Sequence, residues 1–260
     1  VNYGHIVCLA RARGFGAIGF LDDYEKLKKK QNLGLTAKAK FLLQLVAALV
    51  FILLMREMGY ITTSLYIPFW NVTYPIPEWL YFIFAAFVIV GTVNSVNLTD
   101  GVDGLAAGTS IPVFLFFAAV TFLWGEGYAA LGIFASGVAG GLLGFLLYNF
   151  NPAKVFMGDT GSLFLGGAVA AMAFAYDMPL ILVVLGLMYI IETLSDIIQV
   201  AYFKISHGKR IFKMAPFHHH LELGGWTGKK WKEKELFVLF FTVSLVCAVV
   251  SFLGVYGRYA

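Results

Sequence analysis

NSVNLTDGVDGLAAG, residues 94–108, is the stretch on which the reading of this chain turns. Two aspartates stand three residues apart in it, Asp100 and Asp103, each followed by or closely flanked by glycine, with no lysine or arginine among them. The flanking runs, 79–96 and 105–124, are apolar and each approaches the roughly 20 residues that a helix needs to cross a bilayer. The acids therefore stand where the chain leaves lipid.

Working outward, further apolar runs cover 41–55, 128–148, 163–176, 180–203 and 237–256, with a partial run at 15–21. The chain is 60% hydrophobic and 13% charged, and its apolar residues fall in blocks rather than amphipathic stripes. This predicts an all-α fold, a polytopic transmembrane helix bundle of about eight spans, forming one integral membrane domain over 1–260. Cys8 and Cys247 lie in or near apolar segments without metal or disulfide spacing and read as packing residues. The opening VNYGHIVCLARARGFG is interrupted by Arg11 and Arg13, so it reads as neither a signal peptide nor a clean span. We expect a natural N-terminal part to precede it.

If the spans alternate, one face collects 22–40, 97–104, 149–161 and 204–235, with Lys26, Lys28, Lys29, Lys30, Lys38, Lys40, Lys154, Lys204, Lys209, Arg210, Lys213, Lys229, Lys230, Lys232 and Lys234. The other face has Arg56 and Arg258. Lysine and arginine accumulate on the cytoplasmic side, which places the first set there and the C-terminus outside. The longest outer connection, YITTSLYIPFWNVTYPIP, alternates β-branched and aromatic residues about Asn71, predicting a short extracytoplasmic β-hairpin with Trp70, Tyr74 and Trp79 at headgroup level.

Four polar motifs share the lysine-rich face. In GFLDDYEKLKKK, Asp22 and Asp23 close a span, where acids are costly unless paired or bound to a cation, while the lysines suit an anchor against anionic headgroups. In DGVDG, a plain turn competes with a ligand site, the glycines admitting a close approach and the two aspartates accepting hydrogen bonds from a base or sugar. In FMGDTGS, Asp159 reads either as a helix N-cap or as a magnesium ligand beside a helix N-terminus that suits phosphate. In APFHHHLELGGW, His218, His219 and His220 match neither a tag nor zinc spacing, and suit donors to phosphate oxygens. A fifth set, Glu192, Ser195, Asp196 and Gln199, makes one helical stripe that reads equally as an ion path or as an interhelical network. Carboxylates, lysines, histidines and glycine turns at one membrane face suggest magnesium-assisted phosphate chemistry, with one substrate reached from water and another from lipid.

FLDDY, NSVNLTDGVDGLA, PAKVFMGDTGS and APFHHHLELGGW occur in the order found in the polyprenyl-phosphate N-acetylhexosamine-1-phosphate transferase superfamily, and from about Phe15 onward the chain resembles its MraY family, the phospho-N-acetylmuramoyl-pentapeptide transferases. The resemblance implies transfer of phospho-MurNAc-pentapeptide from UDP-MurNAc-pentapeptide to undecaprenyl phosphate, giving lipid I and UMP with Mg2+ as cofactor, at the bacterial inner membrane with the site facing the cytoplasm. It implies Asp159 as the metal ligand, Asp22 and Asp23 beside the lipid phosphate with Asp22 as the base, His218 at the diphosphate, and His219 and His220 beside it. Asp100, Gly101, Val102, Asp103, Asn149 and the Phe156 ring would form the nucleoside pocket, Asn97 would bind substrate, and Lys38 would face phosphate. It also implies ten helices, a bent ninth one carrying Glu192 and Asp196, a homodimer, inhibition by nucleoside antibiotics, and no nucleic acid partner; the family's first two spans have no counterpart here. The competing readings are a related transferase for UDP-N-acetylglucosamine, against which the histidine triplet argues, an ion-coupled transporter built on Glu192 and Asp196, and a phosphate-binding scaffold without turnover.

Overall fold

The structure, a computed structural model, describes residues 4–31 and 33–258. Among them six helices are long and apolar enough to cross a membrane: α2 (Ala37–Glu57), α3 (Glu78–Thr99), α4 (Leu105–Trp124), α5 (Ala129–Asn149, extended by a short 3-10 turn at its start), α6 (Gly158–Ala175) and α10 (Glu233–Val255, extended by a turn to Arg258). The chain is a polytopic helical membrane protein, as its sequence predicts.

Two elements differ from the sequence reading. The opening stretch is one helix, α1 (Gly4–Lys29), and the partial run 15–21 is its middle. Its arginines masked it, yet Arg11 is buried and its guanidinium lies 3.9 Å from the centroid of the Phe51 ring of α2, a cation–π contact that eases burial of the charge. The backbone of Gly4 donates to the Tyr60 hydroxyl at one face while the other end of α1 meets α6, so α1 runs the depth of the bundle. Val1 to Tyr3, which begin that stretch, and the terminal Ala260 lie outside the described residues. The second difference is the run 180–203, which is not one straight span. A short 3-10 turn at Pro179–Ile181 and α7 (Leu182–Leu185) are followed, after a break at Gly186, by α8 (Leu187–Ile205), with an 81° bend between the two parts. Glycine is a usual site for such a kink.

The two ends of the bundle can be told apart by their contacts. At one end the hairpin β1 (Ser64–Ile67) and β2 (Val72–Pro75) pairs antiparallel with Ile67 opposite Val72, and Phe69 and Asn71 in its turn both have positive φ. The Phe69 N–H bonds to the Gly254 carbonyl and Thr62 donates to Asp177, tying the hairpin to the ends of α10 and α6. Trp70, Tyr74 and Trp79 stand exposed there. The opposite end holds the C-terminal ends of α1, α3 and α5, the N-terminal ends of α2, α4, α6 and α10, and the short helix α9 (Phe217–Glu222). All the polar motifs converge at this mouth.

The main core is built by α6, whose residues from Leu163 to Ala175 are almost all buried, and by the facing sides of α1, α3 and α4. Close packing of small residues, rather than hydrophobic expulsion, binds helices in lipid. At Gly19 a Cβ would fall 2.2 Å from the Asp159 carbonyl, so only glycine lets α1 approach the first turn of α6 this closely. A second cluster, Val102, Leu105, Met188, Leu236 and Phe240, fixes the Asp100–Gly104 loop to α8 and α10.

Candidate active site

Asp22, Asp23 and Lys26 lie in the last two turns of α1, and Asp159 opens α6. The close approach at Gly19 brings them together, and one carboxylate oxygen from each of Asp22, Asp23 and Asp159 lies within 4.8 Å of the others. Lys26, four residues after Asp22 and so on the same helix face, reaches Asp22 Oδ2 and Asp159 Oδ2 at 2.7 Å each and Asp23 Oδ1 at 3.4 Å. Lys40, from α2, reaches Asp159 Oδ2 at 3.0 Å and Asp22 Oδ2 at 3.7 Å. The remaining oxygens are also oriented. The Leu35 N–H donates to Asp22 Oδ1, the Thr160 N–H and hydroxyl both donate to Asp23 Oδ2, and the Asn97 amide donates to Asp159 Oδ1 and to the Ser162 hydroxyl. Three carboxylates against two ammonium groups leave the cluster one positive charge short of balance. Asp23 is its most open acid, with a side chain 29% exposed, and Asp22 its most buried, at 5%.

The Asp100–Gly104 loop lies beside this cluster. Burial pushes the Asp100 carboxyl up to about 7, and the nearby Asp159 and Asp23 carboxylates add to the rise. Its companion has another task. Asp103 Oδ2 accepts from the Ala153 N–H at 2.8 Å and from the Asn151 amide at 3.2 Å, so it clamps the 149–155 loop, and Asn151 bonds on to Glu233 of α10. The absence of basic neighbours in the DGVDG sequence follows: this acid is met by amides.

The histidines diverge. His218 is 1% exposed, its Nδ1 lies 2.7 Å from Oε2 of the fully buried Glu192, and its backbone N–H donates to Oε1 of the same carboxylate at 3.1 Å. Its Nε2 faces Gly101, where a Cβ would fall 2.3 Å away. His219 is half-buried and pairs with Glu222 at 2.6 Å.

The other expected site residues have the following surroundings. Lys38 is exposed, and the lysines that reach the carboxylates are Lys26 and Lys40. The Val102 side chain is buried in the second core cluster, where it anchors the loop. Asn149 is buried and spends its amide on the Gly104 N–H and the Val155 carbonyl, bracing two loops. His220 is wholly buried among Phe212, Phe217 and Trp226, and its Nδ1 accepts the Lys213 N–H at 3.0 Å. Burial, with Lys213 nearby, lowers its pKa, as suits a ring held neutral. Phe156 is 74% exposed and borders an apolar groove of about 540 Å3 between α1, α5 and α6. Two members of the Glu192 stripe face protein: Glu192 meets His218, and Gln199 Oε1 accepts the Ile211 and Phe212 N–H groups, which holds the 211–218 segment, while half-buried Asp196 borders a groove with Lys204 and Arg210.

Three acids with carboxylate oxygens within 4.8 Å of one another, two ammonium groups and helix N-termini at one mouth of a membrane bundle suit chemistry on phosphate-linked groups. The sequence pattern of glycosyl transferase family 4 matches residues 5–177, and the chain belongs to that family. It is 46% identical over 237 residues to a phospho-N-acetylmuramoyl-pentapeptide-transferase of Listeria monocytogenes serotype 4b (strain CLIP80459), a match covering 91% of this chain and 70% of that protein. It is 48% identical to the protein of that name from Caldanaerobacter subterraneus subsp. tengcongensis, over 95% of this chain and 74% of that one. For the Staphylococcus aureus (strain bovine RF122 / ET3-1) protein of the same name the identity is 49%, over 92% and 72%.

Proposed function

We propose that the chain transfers phospho-MurNAc-pentapeptide from UDP-MurNAc-pentapeptide to undecaprenyl phosphate, releasing UMP and giving lipid I for peptidoglycan synthesis. The observation that carries the chemistry is the Asp22, Asp23, Asp159, Lys26 and Lys40 cluster at the mouth of the bundle, and the relatives' shared name supplies the substrates. An oxygen of the lipid phosphate attacks the sugar-linked phosphorus, a P–O bond forms, the diphosphate bridge breaks and UMP leaves. Such a transfer mainly asks the protein to align the reacting groups and neutralise charge on the oxygens.

The donor set fits a hard divalent cation. Three carboxylate oxygens within 4.8 Å of one another, without sulfur or imidazole, match the preference of magnesium, with Asp159 as its principal ligand. When bound, the ion would supply positive charge to offset that on the phosphate oxygens. Asn97 orients Asp159, Thr160 orients Asp23, and Lys26 and Lys40 present ammonium groups to phosphate at the same place. Asp22, whose second oxygen is held by the Leu35 N–H, is assigned as the base that keeps the lipid phosphate ionised, with Asp23 at its side. The uridine end is assigned to the Asp100–Asp103 loop and the exposed Phe156 ring, with His218 and His219 toward the diphosphate.

The positive loops at this mouth favour a cytoplasmic site in a bacterial inner membrane. Homodimer formation and inhibition by nucleoside antibiotics belong to the same proposal. The test is to incubate the full chain in detergent with UDP-MurNAc-pentapeptide, undecaprenyl phosphate and Mg2+ and to extract the lipid. A lipid-linked, muramoyl-containing product that disappears with EDTA is expected, and none from folded protein would overturn the assignment.

A further inference from the structure

Glu192 has no place in the chemistry above, yet it is a fully buried carboxylate with both oxygens spent on one residue. A carboxylate that only accepts would, across the 2.7 Å contact, hold the proton of a neutral His218 on Nδ1 and leave Nε2 as the free ring nitrogen. That nitrogen is buried, has no hydrogen-bond partner among the described residues, and lies against Gly101 of the loop that borders the carboxylate cluster. A buried polar atom without a partner is uncommon and points to a role beyond packing. The arrangement is held from two directions. The Glu192 carboxylate takes the backbone N–H at the start of α9 as well as the ring, and Gly101, with no Cβ, is the one residue type that lets Nε2 come so close. Ser195, one turn on, donates to the Glu192 carbonyl at 2.7 Å, and Thr193 bonds across to Ser95 of α3, so the α8 segment is itself braced.

We propose that Glu192 is a positioning residue for the transfer: it selects the Nδ1–H tautomer of His218 and thereby presents a bare Nε2 to the Asp100–Gly104 loop and the group bound over it. The proposal rests on the transferase reading for its kinetic consequence but not for its structural one. Glu192→Gln has nearly the same shape and a different pattern of donors. Its single amide oxygen is needed by the His218 backbone N–H, which leaves the amide N–H facing Nδ1. The ring must then carry its proton on Nε2, the wrong side. In a hydrolase triad a misplaced tautomer alone costs about 10⁴-fold in turnover; a loss of about 10- to 1000-fold in kcat is expected here, with KM for the UDP-linked donor changed by less than about threefold.

The experiment is 15N NMR of the full chain in detergent, labelled at histidine, with the His218 signals assigned by His218→Gln. In the wild-type protein the shifts should show a protonated Nδ1 and a bare Nε2; the opposite tautomer overturns the proposal whether or not the chain turns over. In Glu192→Gln the two signals should exchange roles and kcat should fall. Full kcat, or a fall in kcat with the tautomer unchanged, overturns the positioning role. If Glu192→Gln does not fold, the wild-type tautomer decides.

Discussion

Asp159 is engaged at both oxygens before any cation arrives, by Asn97 on one and by Lys26 and Lys40 on the other. Each of those contacts survives in an amide only in part, because asparagine offers one acceptor oxygen and no charge. Asp159→Asn should therefore leave the bundle folded while lowering magnesium-dependent turnover by about 10²–10³-fold, the range found when an electrostatic group is removed from a reacting centre. Turnover within tenfold of the wild type, with an unchanged melting temperature, would take Asp159 out of the site. At this scale the sequence shows which residue types gather, since acids beside glycine turns at span ends are conspicuous. It does not show their partners. Lys26 and Lys40 are two of many lysines on one face, and only the approach of α1, α2 and α6 sets them apart from exposed Lys38. Asn149, Val102 and His220 sit in motifs yet serve as braces, because a polar or small residue in a motif can face inward as readily as outward.

The α1–α6 contact and the α9 segment are the elements on which the site depends. Gly19 stands where a Cβ would meet the Asp159 backbone at 2.2 Å, so Gly19→Ala must push the two helices apart where the carboxylates meet. Overpacking of this kind costs about 1–3 kcal/mol. A lower melting temperature together with a marked loss of turnover is expected in detergent, and a variant with both unaltered would show that the helices are not held by this approach. The α9 segment carries a pH dependence. His220 is held neutral, with Nδ1 accepting the Lys213 N–H, and its pKa is lowered in the fold, whereas an unfolded histidine takes up a proton near 6.5. Its contribution is complete above that value and is lost as pH falls through about 6.5 toward the lower folded pKa. Amide exchange over residues 211–226, corrected for the intrinsic rate, should thus become less protected at pH 5.5 than at pH 7.5, and His220→Gln should flatten the difference. Equal protection at both pH values in the wild type would contradict the assignment. Arginines disguised α1 in the sequence as a broken span, and hydropathy alone cannot register the 81° turn at Gly186, which only the family resemblance implied as a bent helix carrying Glu192 and Asp196.

For the molecule as a whole, the polytopic helical architecture and the clustering of polar loops at one mouth were legible because bilayer thickness fixes helix length and the lysines are so unevenly distributed, although about eight spans were expected and six helices, or seven with the bent pair, qualify among the described residues. The proposed orientation follows from that charge alone and can be tested independently of catalysis. The native cysteines are both buried, so a membrane-impermeant maleimide should report introduced sites with little background. In intact cells Trp70→Cys, in the hairpin turn, should be labelled and Lys230→Cys protected, with the reverse in inverted vesicles; the opposite pattern would turn the protein over and put the site outside. The central claim is the reaction itself, and its most direct test is the choice of donor. With the full chain in detergent, undecaprenyl phosphate and Mg2+, UMP release would be measured from UDP-MurNAc-pentapeptide and from UDP-N-acetylglucosamine. Release from the first and not the second is the predicted result, while release from the second alone, or from neither with folded protein, would contradict it.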